Sequence, residues 1–142
     1  MKKLFFLIIT LYACQFTYKP YEYQQKKSFI SLQKKSCYGK CPIYEIEIFE
    51  NRSLIFNGKK NVEKIGIYNS KLTKEDMNKI LDKAKHIKFQ KLQNEYIESL
   101  NDLPRTILKV KNKVIEYNSE YPKELEILEN LIYEISLKSI NS

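Results

Sequence analysis

Short runs in which every second side chain is apolar recur along this chain, and they limit what it can become more than any other feature. From Phe29 to Lys34, Ile30 and Leu32 fall on one face while Ser31 and Gln33 fall on the other. Tyr44, Ile46 and Ile48 alternate with Glu45 and Glu47, and Asn51-Arg52 separates that run from Leu54-Ile55-Phe56. A period of two marks a half-buried strand, and a short polar break between two such runs marks a hairpin. Val62 to Tyr68, with Ile65 and Ile67 in phase, supplies a fourth strand. The period then changes. Leu72-Thr73-Lys74-Glu75-Asp76-Met77 opens a helix: Thr73 can cap it, Asp76 stands three residues on, and Leu72 can pack on Met77. Met77, Ile80, Leu81 and Ala84 follow as one apolar stripe.

A looser stretch holding Phe89, Leu92 and Tyr96 leads to a second pair of strands. Thr106 to Val110 and Val114 to Tyr117 flank a polar turn around Asn112. Pro122 suits a first helical position, and Leu125, Leu128, Ile132 and Ile135 line one face of the helix behind it. The order ββββ-α-ββ-α predicts an α+β domain over residues 28–142. Its simplest packing is an antiparallel sheet of about six strands with two helices on one face.

Composition removes several function classes. The chain has 142 residues, 43% of them hydrophobic and 30% charged, which fits one domain with a modest core. Only 3 glycines are present, too few for a glycine-rich phosphate loop, and one His with 3 Cys is too few soft ligands for an ordinary zinc site. No metal ligands or cofactor are therefore assigned. That one histidine, His86, falls on the polar face of the first helix, opposite Met77, as an exposed bystander. No G-x-S-x-G or H-E-x-x-H occurs, and no cysteine has an activating base beside it in sequence. Glu45 and Glu47 share a strand face, where their simplest role is its solvent side. No catalytic residue is assigned.

The net charge of +8 suggests nucleic acid at first sight. Yet only Arg52 and Arg105 are arginines, and the fork that reads phosphates and guanine edges is an arginine property. The lysines are scattered among Glu and Asp, as on an ordinary solvated surface. Nucleic acid is not the expected partner.

The first residues form an address. Lys2 and Lys3 precede Leu4 to Ala13, a run of about ten mostly apolar residues, and then Cys14. As a helix such a run reaches roughly 15 Å, half the hydrocarbon thickness, so it does not span. Leu11-Tyr12-Ala13-Cys14 resembles the lipobox of bacterial lipoproteins, although Tyr12 stands where a small or hydroxylated residue is usual. The resemblance implies cleavage before Cys14 and diacylglycerol on its sulfur. Residues 1–13 are then a signal peptide, residues 14–27 a polar, tyrosine-bearing tether, and Cys14 the membrane anchor of a cell-envelope protein facing the periplasm or the exterior.

Cys37-Tyr38-Gly39-Lys40-Cys41-Pro42 is the one constellation with chemistry in it. Gly39 permits a tight turn, Pro42 fixes the exit, and cysteines four apart around such a turn can meet disulfide geometry. In an exported protein a disulfide is the default, though a five-residue loop contributes only about 2 kcal/mol in the chain-entropy model. Three uses of the pair stay open: a structural disulfide, thiol exchange, or a share in a metal site. Ser36 to Tyr44, Asn101-Asp102-Leu103-Pro104 and Tyr121-Pro122 together resemble a bacterial domain-of-unknown-function family, number 6438, carried chiefly by the C-[FY]-G-x-C-P element. The likeness runs from Ile30 to Ile135 and departs at Asn51-Arg52-Ser53, where the family has a glycine-bearing turn. It implies the same order of elements and often an export signal, and it supplies no activity.

The expected function is a non-enzymatic envelope lipoprotein whose domain binds or braces a protein or glycan partner. Tyr38 and Tyr44 at the Cys37–Cys41 turn, and Asp102 in the segment between the two β-rich regions, are the candidate contact residues. Thiol chemistry at that pair is the enzymatic alternative, and a basic cytoplasmic nucleic-acid-associated protein is the third.

Overall fold

The computed structural model describes residues 27–99 and 103–142. The strands β1 (Ile30–Lys34), β2 (Ile43–Ile48), β3 (Ser53–Lys60) and β4 (Gly66–Lys71) precede the helix α1 (Lys74–His86). A 3₁₀ turn at Phe89–Lys91, then β5 (Glu95–Tyr96), β6 (Thr106–Val110) and β7 (Lys113–Tyr117), lead to the helix α2 (Lys123–Ile140). The architecture is α+β, as predicted. Among the described residues the sheet has seven strands in the order β4-β3-β2-β1-β6-β7-β5. It is mixed rather than wholly antiparallel, because the two-residue β5 pairs in parallel with β7. No alternating pattern announces so short a strand; it exists because Glu116 and Asn118 donate backbone N–H groups to Asn94 and Tyr96.

One row of side chains shows how the core is laid across the sheet. Tyr68, Phe56, Ile46, Leu32, Leu108 and Ile115 are successive register partners from β4 to β7. The middle members are fully buried, and Met77, Ile80 and Ala84 of α1 and Leu125, Leu128, Ile132 and Ile135 of α2 join them in one apolar cluster. Both helices therefore cover the same face. The Thr73 hydroxyl accepts from the Asp76 N–H at 3.0 Å, the expected cap, with Leu72 and Met77 buried beside it. Pro122 sits at the cap position of α2, one residue before the first helical residue.

One local reading is corrected, and the β2–β3 hairpin forms as expected. The fourth strand begins at Gly66, and Ile65 and Ile67 point to solvent at 57% and 68% exposure while Tyr68 and Ser70 turn inward. β4 is a sheet edge, where little burial on either face dictates phase, so the isoleucine pair does not select the core side. At the β2–β3 hairpin Arg52 takes the left-handed φ of 71° that a glycine would adopt freely. Arg52 Nη1 donates to the Leu72 carbonyl at 3.1 Å, and Asn51 Oδ1 accepts from the Ser53 N–H at 3.0 Å. These bonds hold the turn without glycine.

Candidate functional site

β1 ends at Lys34 and β2 begins at Ile43, so residues 35–42 form a loop at one rim of the sheet. Within it Cys37 and Cys41 lie at disulfide distance, with their Cα atoms 5.9 Å apart. The Gly39 N–H donates to Cys37 Sγ at 3.2 Å, and Asn61 Nδ2 donates to the Cys41 carbonyl at 3.1 Å, tying the loop to the β3–β4 connection. The Lys35 N–H donates to the Arg105 carbonyl at 2.8 Å, fixing the other flank to the segment before β6. Tyr38 stands at the tip with 87% of its surface exposed.

Directly beneath this loop the core face turns polar. Tyr44, Lys34, Thr106 and Tyr117 are successive register partners across β2, β1, β6 and β7. Glu129 of α2 lies over them. Its Oε1 pairs with Lys34 Nζ at 2.7 Å, its Oε2 accepts the Tyr117 hydroxyl at 2.7 Å, and Lys34 Nζ also donates to Thr106 Oγ1 at 3.0 Å. Burial, reinforced by the Glu129 carboxylate, pushes the phenols of Tyr44 and Tyr117 far above their ordinary value. Both stay protonated, so Tyr117 is a fixed donor and neither phenol serves as a base. The Tyr44 ring stacks with Phe56 at 6.0 Å and meets Tyr133 at 4.8 Å. Among the described residues no buried side-chain nitrogen or oxygen lacks a partner. A network so satisfied fixes the shape of the rim.

Tyr44, a candidate contact residue from the sequence, is only 4% exposed, and that assignment is corrected. Its alternation with Ile46 and Ile48 carries it into the core. Tyr38 is accessible. Asp102 lies outside the described residues, as do Cys14, the expected leader and all of the expected tether except Lys27. Leu103 and Pro104 are half-buried, and Tyr121 packs on Tyr117 with ring centroids 4.5 Å apart. The C-terminal end of β1, the N-terminal end of β6 and the C-terminal end of β7 adjoin, since Lys34 pairs Thr106 and Thr106 pairs Tyr117. The topology thus gathers the cysteine turn, Leu103-Pro104 and Tyr121-Pro122 at one rim. His86 is exposed near the C-terminus of α1. On the helix-free face, Glu45 is held by Lys59 Nζ at 2.7 Å and Gln33 Nε2 at 2.6 Å, while Glu47 is exposed. The described residues contain no group of three His, Cys, Asp or Glu placed to hold a metal, and no helix long and apolar enough to cross a membrane.

Fold and site together define an α+β domain whose distinguishing feature is a cysteine-paired turn braced by a largely buried lysine–glutamate–tyrosine network. A family model described as "Domain of unknown function (DUF6438)" matches residues 28–136, and the chain belongs to that family. No curated protein and no solved structure matches it.

Proposed function

We propose that the protein is a cell-envelope lipoprotein, exported by residues 1–13 and anchored through Cys14, whose domain is a non-enzymatic binding or structural module. Its partner is a protein or glycan that seats against the cysteine turn. The observation carrying this reading is Tyr38, an aromatic ring left in solvent at the tip of a loop pinned on both flanks. A rigid, exposed tyrosine gives contact area at little entropic cost.

The test is the intact mass of full-length protein recovered from membranes, alkylated before and after reduction. The expected result is a chain starting at Cys14 with added lipid, and two thiols that appear only on reduction. Retention of Met1 with all three thiols free overturns the reading and returns the basic cytoplasmic alternative.

One observation favours the thiol alternative. The Gly39 N–H donating to Cys37 Sγ is a contact that stabilises a thiolate. The Cys37→Ser and Cys41→Ser variants separate the two. A structural pair predicts about 2 kcal/mol of lost stability in urea unfolding and no other change. Thiol exchange predicts loss of reactivity toward a disulfide substrate with the fold nearly intact.

A further inference from the structure

The rim opposite the cysteine turn carries a groove of about 430 Å³ between the C-terminal half of α1, the 3₁₀ turn and the β6–β7 turn. Leu81, Ala84, Phe89 and Val110 give it an apolar floor, and Lys85, Lys88, Lys91 and Lys111 stand around its mouth. All four lysines are exposed, and among the described residues none pairs with an acidic side chain. Asp82 is the one acid in the lining, so the mouth keeps an excess of positive charge. Lys88 and Lys111 both hold left-handed backbone, φ 53° and 59°, where glycine or asparagine fits more easily. The chain arriving from the N-terminal segment reaches the fold at this same rim, because the Lys111 N–H donates to the Phe29 carbonyl at 2.7 Å.

We propose that this groove docks the headgroup of an anionic phospholipid, its lysines on the phosphate and its apolar floor on the first carbons of an acyl chain. Positive charge without acidic partners fits the headgroup, and the floor fits what a free anion lacks. The volume suits a headgroup and the start of one chain, with the rest of the lipid left in its bilayer. The arriving chain puts the groove on the side from which any N-terminal anchor pulls. The site deepens the envelope reading by giving the domain an orientation, with Tyr38 facing away from the membrane. It stands apart from lipidation at Cys14, because the headgroup binds whether or not that sulfur is acylated.

Full-length protein in a neutral sugar detergent, titrated with lysophosphatidylglycerol and followed by backbone and lysine NMR, tests the site. Saturable shifts at Lys88, Lys111 and Phe89 are expected, with none from lysophosphatidylcholine or inorganic phosphate. The Lys88→Gly/Lys111→Asn pair removes two charges at positions where the new residues suit the backbone, and binding weakens about thirtyfold with no loss of melting temperature. A Lys85→Gln/Lys91→Gln pair carries the same test should the first pair melt lower. An equal response to the choline lipid, a response to phosphate alone, or affinity unchanged in the folded variants each overturns the proposal. The mass of the Cys14 peptide, measured separately, decides lipidation.

Discussion

The two rims of the sheet treat charge in opposite ways. At the cysteine rim the partly buried Lys34 pairs with the buried Glu129 at 2.7 Å, with Tyr117 and Thr106 completing the network. At the lysine rim Lys85, Lys88, Lys91 and Lys111 are exposed around an apolar floor with little to balance them. β1 spans the distance, with Ile30 beside Val110 at one end and Lys34 beside Thr106 at the other, about 13 Å apart at 3.3 Å per residue. A buried charge must be paired to be tolerated, so the first rim is built into the stability of the fold. Solvated charges cost the fold almost nothing, so the second rim is free to be shaped by what it meets.

Breaking the buried pair is the largest expected effect. Glu129→Ala leaves the buried Tyr117 hydroxyl without its acceptor and the partly buried Lys34 ammonium without its counter-ion, at a cost of about 3 kcal/mol in urea unfolding. Replacing both ions, as Lys34→Met/Glu129→Leu, is expected to recover most of that loss, since the penalty lies in the orphaned charge. By contrast Lys85→Gln at the other rim changes stability by no more than about 0.5 kcal/mol. Equal losses at the two rims would erase the distinction between them.

The cysteine rim also depends on close backbone packing. Gly58 is the register partner of Tyr44, and a Cβ there would lie 1.8 Å from the Lys64 carbonyl oxygen. That oxygen belongs to the backbone and cannot swing aside. Gly58→Ala is expected to cost about 3 kcal/mol, and heteronuclear NMR should show shifts confined to Tyr44, Lys64 and the cysteine loop. A neutral substitution would mean that the β3–β4 connection is not part of the brace.

Much of this was legible in the residues. Alternation located β1, β2, β3 and the β6–β7 pair, and the helical stripes located α1 and α2, because each buries one continuous face. The phase of β4 and the existence of β5 were not, since an edge strand and a two-residue strand are set by neighbours rather than by their own pattern. The site was half legible. The cysteine turn announces itself, but no motif marks Lys34 and Glu129. Lys34 continues the phase of Ile30 and Leu32, and Glu129 stands four residues after Leu125 and three before Ile132. Opposite charges at two core-phase positions are the signal that finds such a pair. The same rule of phase would have kept Tyr44 off the surface.

Between the two extremes lies Glu45, partly exposed on the helix-free face and held by Lys59, Gln33 and Asn57. The Lys59 hydrogen bond, helped by those of Gln33 and Asn57 and opposed by partial burial, holds its carboxyl below the ordinary value of 4.5. A depressed carboxyl contributes stability that is complete above its unfolded value and fades as pH falls through its folded one. Melting curves of the parent and of Glu45→Gln should therefore differ most above about pH 5 and converge as the pH drops below the folded value. Added salt should shrink the difference at neutral pH, because this pair is solvated enough to be screened. The Glu129 contribution, much less solvated, should respond less to the same salt. If both contributions respond alike to salt, solvation is not what separates the cysteine rim from the rest of the surface.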